Sequence, residues 1–287
     1  DWTTPANFCG PPTFAAYYDL MNMRTGVALS FFHPTVSVSQ NMGAGVNLSY
    51  VQAVRVTDDW GTSPLSNSVT AYTFANPPIN LSAGSVSSGS MVVGWDANSN
   101  PGYTRYQVAM SPDNFATGVL ISTPVDISMN RTATSMPVGG LVTGTTMYFR
   151  VRAFNGQASD NSGETFTNWL SGYFITLSSA PTLTGTALGT NSVLWTWTTR
   201  AGSSGYNLYP VGGGVPIIGG PILTHTSTAL SINAPYGAEV SAYNASGEGP
   251  RSAPVYVYTY AVPPTITPTA DVSGVSTVAI TLAWNAN

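Results

Sequence analysis

The segment Ala242–Thr259, with the sequence AYNASGEGPRSAPVYVYT, decides the fold of this chain. Apolar and polar residues alternate on both sides of a turn rich in Gly, Ser and Pro, so the segment is predicted to be a β-hairpin. Two other segments have the same pattern, LVTGTTMYFRVRAFN from Leu141 to Asn155 and YVQAVRVTDDWGTSPLSNSVTAYT from Tyr50 to Thr73. The recurrence predicts a chain built from similar β units.

These segments resemble the last two strands of the fibronectin type III family, which carry a pattern close to Y-x-V-R-V-x-A-x-N followed by G-x-x-S. The resemblance rests on five residues, Asn244, Gly247, Gly249, Pro250 and Ser252. It implies an all-β chain of tandem immunoglobulin-like (fibronectin type III) β-sandwiches with incomplete terminal units. The resemblance implies a fold but hardly identifies an activity.

Three short Pro-bearing segments, each following an alternating strand, divide the chain: Ala75–Pro78, Ser178–Pro181 and Ala261–Pro264. Four units follow from these breaks. They are a partial unit lacking its first strands (1–76), two complete units (77–178 and 179–261) and the first two strands of a further unit (262–287).

Tryptophans on apolar alternating strands mark the predicted second strand of each unit. Trp95 in SMVVGWD resembles the core tryptophan of the family, and SVLWTWT places Trp195 and Trp197 in register with it. Third strands are predicted around Tyr18, Tyr106 and Tyr206. The family's corner tyrosine, six residues after Leu141, is replaced by Met147 and followed by Tyr148, so either the register slips or a thioether fills the corner.

The two terminal units are incomplete in complementary ways. The tail alternates apolar residues that cannot be left in water, and Trp2 resembles the end of a second strand at the other terminus. The predicted contact residues are Trp2, Val278, Ile280, Leu282 and Trp284. Three explanations remain open: a longer repeat chain, donation of the tail strands to the head of another copy, and a divergent small first domain opening at 8–12.

The composition excludes some partners and favours others. Charged residues make up 7% of the chain, its eight basic residues are all arginine, and the net charge is −4, which excludes a nucleic-acid partner. No apolar run reaches the ~18 residues of a membrane span, and a start at Asp1 suggests a processed chain or an excerpt. Cys9 is the single cysteine, so an intrachain disulfide is not possible.

Residues capable of catalysis are sparse. His33 and His225 lie in segments without a nearby carboxylate, and Asp58–Asp59 lack the spacing of a calcium loop. We therefore expect no enzyme activity, no cofactor and no metal site. Trp60 and Trp169 remain candidates for stacking on sugars, although packing against a neighbouring repeat is the favoured interpretation for both.

The sequence thus favours a structural repeat subunit of an extracellular filament, sheath or surface stalk, joined end to end by completion of its terminal half-domains. The stretch Asn98–Gly118 resembles repeat regions of very large bacterial surface proteins. The partners expected are further copies in a head-to-tail polymer, or the continuation of a longer repeat chain, and surface glycans. The alternative function is an adhesin or carbohydrate-binding spacer of a larger secreted protein or enzyme.

Overall fold

The computed structural model describes residues 17–23, 26–32, 45–58, 61–117, 132–156, 166–265, 272–273, 281–282 and 284–285. All regular elements in these ranges are β-strands, which confirms the predicted all-β class. Within the same ranges, no helix is long and apolar enough to cross a membrane.

The chain packs as two compact units, each assembled from separate stretches of sequence. The first contains the described parts of Asp1–Ser82, Val93–Met136 and Tyr148–Tyr173. The second contains those of Ala83–Val92, Pro137–Met147 and Phe174–Asn287.

The first group of strands forms one antiparallel five-stranded sheet in the order β2-β1-β3-β4, with β5 also paired to β3. Tyr18 lies opposite Val56 in the register, and both side chains are buried. The long strand β3 pairs with β1, β4 and β5, and β2 joins the sheet through β1. The strands are β1 (Tyr17–Asn22), β2 (Ala28–Phe32), β3 (Ser49–Asp58), β4 (Gly61–Thr62) and β5 (Val69–Tyr72).

The second group forms two three-stranded sheets. Its strands are β6 (Ile79–Gly84), β7 (Ser90–Asp96), β8 (Tyr106–Ser111), β9 (Ser135–Gly139), β10 (Thr146–Ala153) and β11 (Leu170–Ile175). The sheet orders are β6-β7-β9 and β11-β10-β8. Trp95 contacts Tyr106 edge to face, with ring centres 5.6 Å apart, in a core that also contains Val108 and Val151.

The third group repeats this arrangement with two more sheets, β12-β13-β16 and β15-β14-β17-β18, and β19 pairs with β17. Its core packs Trp195, Trp197, Tyr206, Leu208 and Val240 together. The strands are β12 (Leu183–Ala187), β13 (Val193–Trp197), β14 (Gly205–Pro210), β15 (Ile218–Gly220), β16 (Thr224–Ser227), β17 (Pro235–Asn244), β18 (Gly247–Glu248) and β19 (Val255–Tyr258).

The tail contributes a two-stranded sheet of β20 (Val272–Ser273) and β21 (Thr281–Leu282), with a further bridge between Thr265 and Asn285. The predicted limits 76/77, 178/179 and 261/262 all fall where the structure has no strand. They remain predictions of domain boundaries.

The corner positions differ between the second and third groups. Met147 is buried, whereas Tyr148 points away from the core and its ring lies 5.8 Å from that of Tyr173. The register therefore does not slip, and the thioether fills the inward position. In the third group a tyrosine is present: the amide of Ser231 donates to the hydroxyl oxygen of Tyr236 at 2.6 Å.

Candidate functional site

A polar pair recurs at one register position on the outward face of each central strand pair. The first group has Asp19 opposite Arg55, the second has Gln107 opposite Arg152, and the third has Asn207 opposite Ser241. The neighbouring position carries Tyr18, Tyr106 or Tyr206, all buried, as expected for the predicted third strands. Since neighbouring residues on a strand point to opposite faces, each polar pair lies on the face of the sheet away from the buried tyrosine, where Asp19 and Ser241 are themselves buried.

The second group develops this outward face into a guanidinium–aromatic ladder, formed by Phe115, Arg150, Trp169, Arg152 and Phe166. The carbon at the centre of the Arg150 guanidinium lies 4.1 Å from the Phe115 ring centre and 4.5 Å from that of Trp169. The corresponding distances from Arg152 are 4.2 Å to Trp169 and 3.7 Å to Phe166. Cations and aromatic rings thus alternate along the outside of β10.

Strand β10 explains the position of the two arginines. Phe149 and Val151 point into the core and are fully buried, so Arg150 and Arg152 project from the other face. Arg152 Nε also donates to Gln107 Oε1 at 2.7 Å. Burial, and secondarily the charge of Arg150, lower the pKa of Arg152. The guanidinium remains cationic at neutral pH and attracts the negative face of each ring.

A tight turn after β8 positions the first ring of the ladder. The Asp113 carboxylate accepts hydrogen bonds from the Ser111 hydroxyl and from both the hydroxyl and the amide of Thr117, the amide at 3.1 Å. These bonds, with Ser111 contributing most, lower the pKa of Asp113 to about 2. Asn114 and Phe115 then adopt left-handed φ values of 57° and 62°, which turn the Phe115 ring towards Arg150.

The ladder accounts for Trp169 within its own unit. Its side chain is half-buried, and its recorded ring contacts are with the guanidinium groups of Arg150 and Arg152. These contacts fix the irregular segment before β11 against the sheet. Stacking of a sugar on Trp169 stays a prediction, and such a ligand would have to share the ring with these cations.

Substitution of Arg152 by alanine is expected to destabilise the second strand group by about 1–2 kcal/mol, because it removes two cation–π contacts and the bond to Gln107. Urea unfolding followed by tryptophan fluorescence measures this loss. Arg152→Lys is the matched control: it keeps the charge but not the planar stacking group, and should recover less than half of the loss. Full recovery by lysine would show that charge alone matters.

The third group carries a different outward cluster. Glu248 Oε1 accepts hydrogen bonds from the Ser241 hydroxyl and from Tyr209 OH, the latter at 2.7 Å, while the Arg251 guanidinium lies 3.5 Å from the Tyr209 ring centre. Burial alone would raise the pKa of Glu248, but these hydrogen bonds and the charge of Arg251 together lower it. Burial, and then Glu248, raise the pKa of Tyr209. The cluster therefore holds an ionised carboxylate and a neutral phenol.

Asparagines attach the segments between strand groups to neighbouring strands. Asn155 Oδ1, just after β10, accepts a hydrogen bond from the amide of Ala75 at 2.7 Å. Asn244, at the end of β17, donates from Nδ2 to the carbonyl of Thr176 at 2.9 Å. The two asparagines thus serve the same role in successive repeats.

A third asparagine, Asn47, joins residues far apart in the sequence within the first compact unit. Its Nδ2 donates to Thr104 Oγ1 at 2.9 Å, its Oδ1 accepts from the amide of Gly156 at 2.8 Å, and its backbone carbonyl accepts from Tyr103 OH at 2.7 Å. The side chain is fully buried. Each polar atom therefore has a protein partner in place of water.

Replacing Asn155 by alanine should expose the amide of Ala75 to exchange, since its acceptor is removed. We expect hydrogen exchange at this amide to accelerate about tenfold, as measured by NMR. Asn155→Asp keeps an acceptor oxygen at the same place and should keep the amide protected. Equal exchange in both variants would contradict the proposed linkage.

The structure locates only some of the residues predicted from sequence to form sites. Trp2, Trp60, Val278 and Ile280 lie outside the described residues, as does Cys9. Leu282 belongs to β21, and Trp284 is 63% exposed. The ladder arginines were not recognised from sequence, although two arginines at alternate positions of a strand were a visible signal.

The side chains that support catalysis or bind metals are dispersed in the described part of the chain. No cluster of three or more His, Cys, Asp or Glu side chains occurs there. The carboxylates of Asp19, Asp113 and Glu248 are instead satisfied by hydroxyl and guanidinium donors. These bonds give the three carboxylates a structural role.

Comparison with known proteins defines the class of fold. Residues 76–168 match the family model described as fibronectin type III domain. This match and the paired sheets confirm the predicted fold of tandem β-sandwiches. No curated protein matches the sequence.

Two solved structures illustrate the similarity. The FN1–FN3 domains of chicken CNTN1 share 16% identity, with 85% of this chain and 91% of that chain covered and a TM-score of 0.35. The two-domain fibronectin type III segment of chicken tenascin also shares 16% identity, with 64% and 100% covered and a TM-score of 0.38.

Proposed function

We propose that this chain is a structural repeat subunit of an extracellular filament, sheath or surface stalk, of the kind found in very large bacterial surface proteins. The observation that carries the proposal is the recurring asparagine bond to the connecting segment, made by Asn155 to Ala75 and by Asn244 to Thr176. A connecting segment that is hydrogen-bonded to the adjoining repeat transmits tension and fixes orientation better than a free linker does. Fibronectin type III domains are common in extracellular and surface proteins, which supports this location.

The exposure of Trp284 supports joining of copies end to end. The tail sequence W-N-A-N from Trp284 matches W-D-A-N from Trp95, yet Trp284 is 63% exposed whereas Trp95 is 4% exposed. Covering such a ring contributes about 2–3 kcal/mol. Either the following sequence of a longer chain or the head of another copy would supply the cover, with Trp2, Val278, Ile280 and Leu282 sharing the contact.

The buried residues of the first sheet limit how a donated strand could bind. Tyr18 and Val56 are already buried in the single chain. Donated strands would therefore add beside this pair instead of filling an empty core. The low charge of the chain, 7% of residues, would oppose close packing of neighbours only weakly.

Electron microscopy and sedimentation of the purified chain test the proposal. We expect elongated particles whose formation depends on protein concentration and only weakly on salt, because few charges are involved. A chain that remains monomeric at every concentration would show that its half-domains do not complete one another.

A second candidate function is an adhesin or carbohydrate-binding spacer of a larger secreted protein. The observation that favours it is a row of exposed tyrosines on and just after β19. Surface glycans are the partner that such a role implies.

A further inference from the structure

Three tyrosines at alternate positions form an exposed row on the third strand group. Tyr256, Tyr258 and Tyr260 are 61%, 63% and 57% exposed, whereas Thr259 between the last two is buried. Alternation along β19, which ends at Tyr258, places the rings of Tyr256 and Tyr258 on one face about 7 Å apart, and Tyr260 continues the same spacing just after the strand. We call these residues the tyrosine row.

The first ring of the row rests on a glycine. Tyr256 lies opposite Gly237 in the register of β17 and β19. A Cβ atom at Gly237 would stand 2.7 Å from Cε1 of Tyr256 and 2.8 Å from Cγ2 of Val211, so the ring occupies the space above the glycine. Support from the sheet on one side leaves the other side of the ring open and holds it in place before any ligand arrives.

The chemistry around the row selects a neutral partner. From Ala253 to Thr265 the sequence contains no charged residue. On the same face of β17, Glu239 lies two residues beyond Gly237 and is paired with Arg251 at 3.5 Å, so the two charges offset each other and leave no net counter-charge for a polyanion. The three rings offer about 400 Å² of surface. This is about half of what each partner of a stable protein dimer contributes, which argues against a second copy as the occupant.

We propose that the tyrosine row binds an extended neutral polysaccharide. The apolar C–H face of successive sugars would pack on the open ring faces, while the phenol hydroxyls would exchange hydrogen bonds with sugar hydroxyls. Successive rings along a straight strand suit a linear polymer more than a compact ligand. This inference gives the carbohydrate-binding candidate a site and does not depend on the filament role.

Affinity electrophoresis of the full chain tests the site. The native gels contain one soluble neutral polysaccharide each: hydroxyethyl cellulose, xyloglucan, amylose or laminarin, with alginate as the anionic comparison. We expect retardation in at least one neutral gel and none in alginate. The triple variant Tyr256→Thr, Tyr258→Thr, Tyr260→Thr, which preserves strand propensity, should weaken binding about tenfold or more.

Two further variants make the result decisive. Tyr173→Thr removes a tyrosine that is also 63% exposed but stands on β11 of the second group, and it should bind like the parent. The single variant Tyr258→Thr leaves the Tyr256 ring above Gly237 and should bind with intermediate strength. It keeps the test valid if the triple variant misfolds. Absence of retardation in all four neutral gels, or equal retardation of parent and triple variant, overturns the proposal. The proposal is also overturned if the parent chain binds no polysaccharide and the triple variant loses self-association. That result would assign the tyrosine row to a contact between copies.

Discussion

The Trp195→Ala variant is expected to lose about 3–5 kcal/mol of unfolding free energy in the third strand group, while the second group keeps its stability. Trp195 is 2% exposed, and its indole Nε1 donates to Ser227 Oγ at 3.2 Å. Truncation leaves a large cavity among Val193, Leu208 and Val240. The surrounding β-strands are held by pairing on both sides, so they cannot move in to fill it. Differential scanning calorimetry should show one transition lowered and another unchanged.

Trp95→Ala is the reciprocal variant, because Trp95 fills the core of the second group. It should lower the other transition. Trp284→Ala, at an exposed site, should change neither. If Trp195→Ala and Trp95→Ala lower every transition equally, the strand groups unfold as one body and the predicted domain limits are wrong.

Trp284→Asp is expected to abolish end-to-end assembly while leaving the fold of the second and third groups intact. A carboxylate buried without a partner costs several kcal/mol, which exceeds the gain from covering the remaining tail residues. Because Trp284 is exposed in the single chain, the monomer should tolerate the change. Sedimentation velocity and electron microscopy across a concentration series measure the loss.

The control for this variant is Tyr173→Asp, which places the same charge at an equally exposed aromatic outside the tail. This variant should assemble like the parent. Normal assembly of Trp284→Asp would remove the tail from the proposed contact. Failure of both variants would instead point to a general effect of added charge.

Alternation predicted the strands of this protein well because burial of one sheet face imposes a period of two. Trp95, Trp195 and Trp197 were placed in cores from sequence, and the structure packs all three there. Tyr106 and Tyr206 were likewise predicted to lie on third strands, and the structure pairs those strands with β10 and β17. Such positions are determined locally, by the order of apolar and polar residues along one strand.

The ladder could not be predicted in the same way because it depends on residues from three separate segments. Arg150 meets Phe115 from the turn after β8 and Trp169 from the segment before β11. Both partners are set by tertiary packing, and Phe115 also by its left-handed φ value, which alternation does not encode. The packing of Trp169 on a neighbouring repeat stays a prediction, and its contacts with Arg150 and Arg152 could not be read from the sequence.

For the tyrosine row, the sequence predicted the strand but not its exposure. Its alternation with Val255 and Val257 was used to predict a strand, but sequence does not distinguish an exposed face from one covered by another sheet. The structure supplies the exposure of Tyr256, Tyr258 and Tyr260, and it supplies the glycine below the first ring. The tyrosine row is thus recognised as a candidate binding site from the packing of the structure and not from the sequence pattern.

Intact mass of native particles after full denaturation, with particle length measured on the same sample, tests the central claim most directly. The account predicts elongated particles: if they dissolve into chains near 29.9 kDa, the terminal half-domains are completed between copies, and if the chains are much longer, they are completed within one repeat chain. Compact particles with chains near 29.9 kDa would contradict the account, because the half-domains would then be completed by neither route.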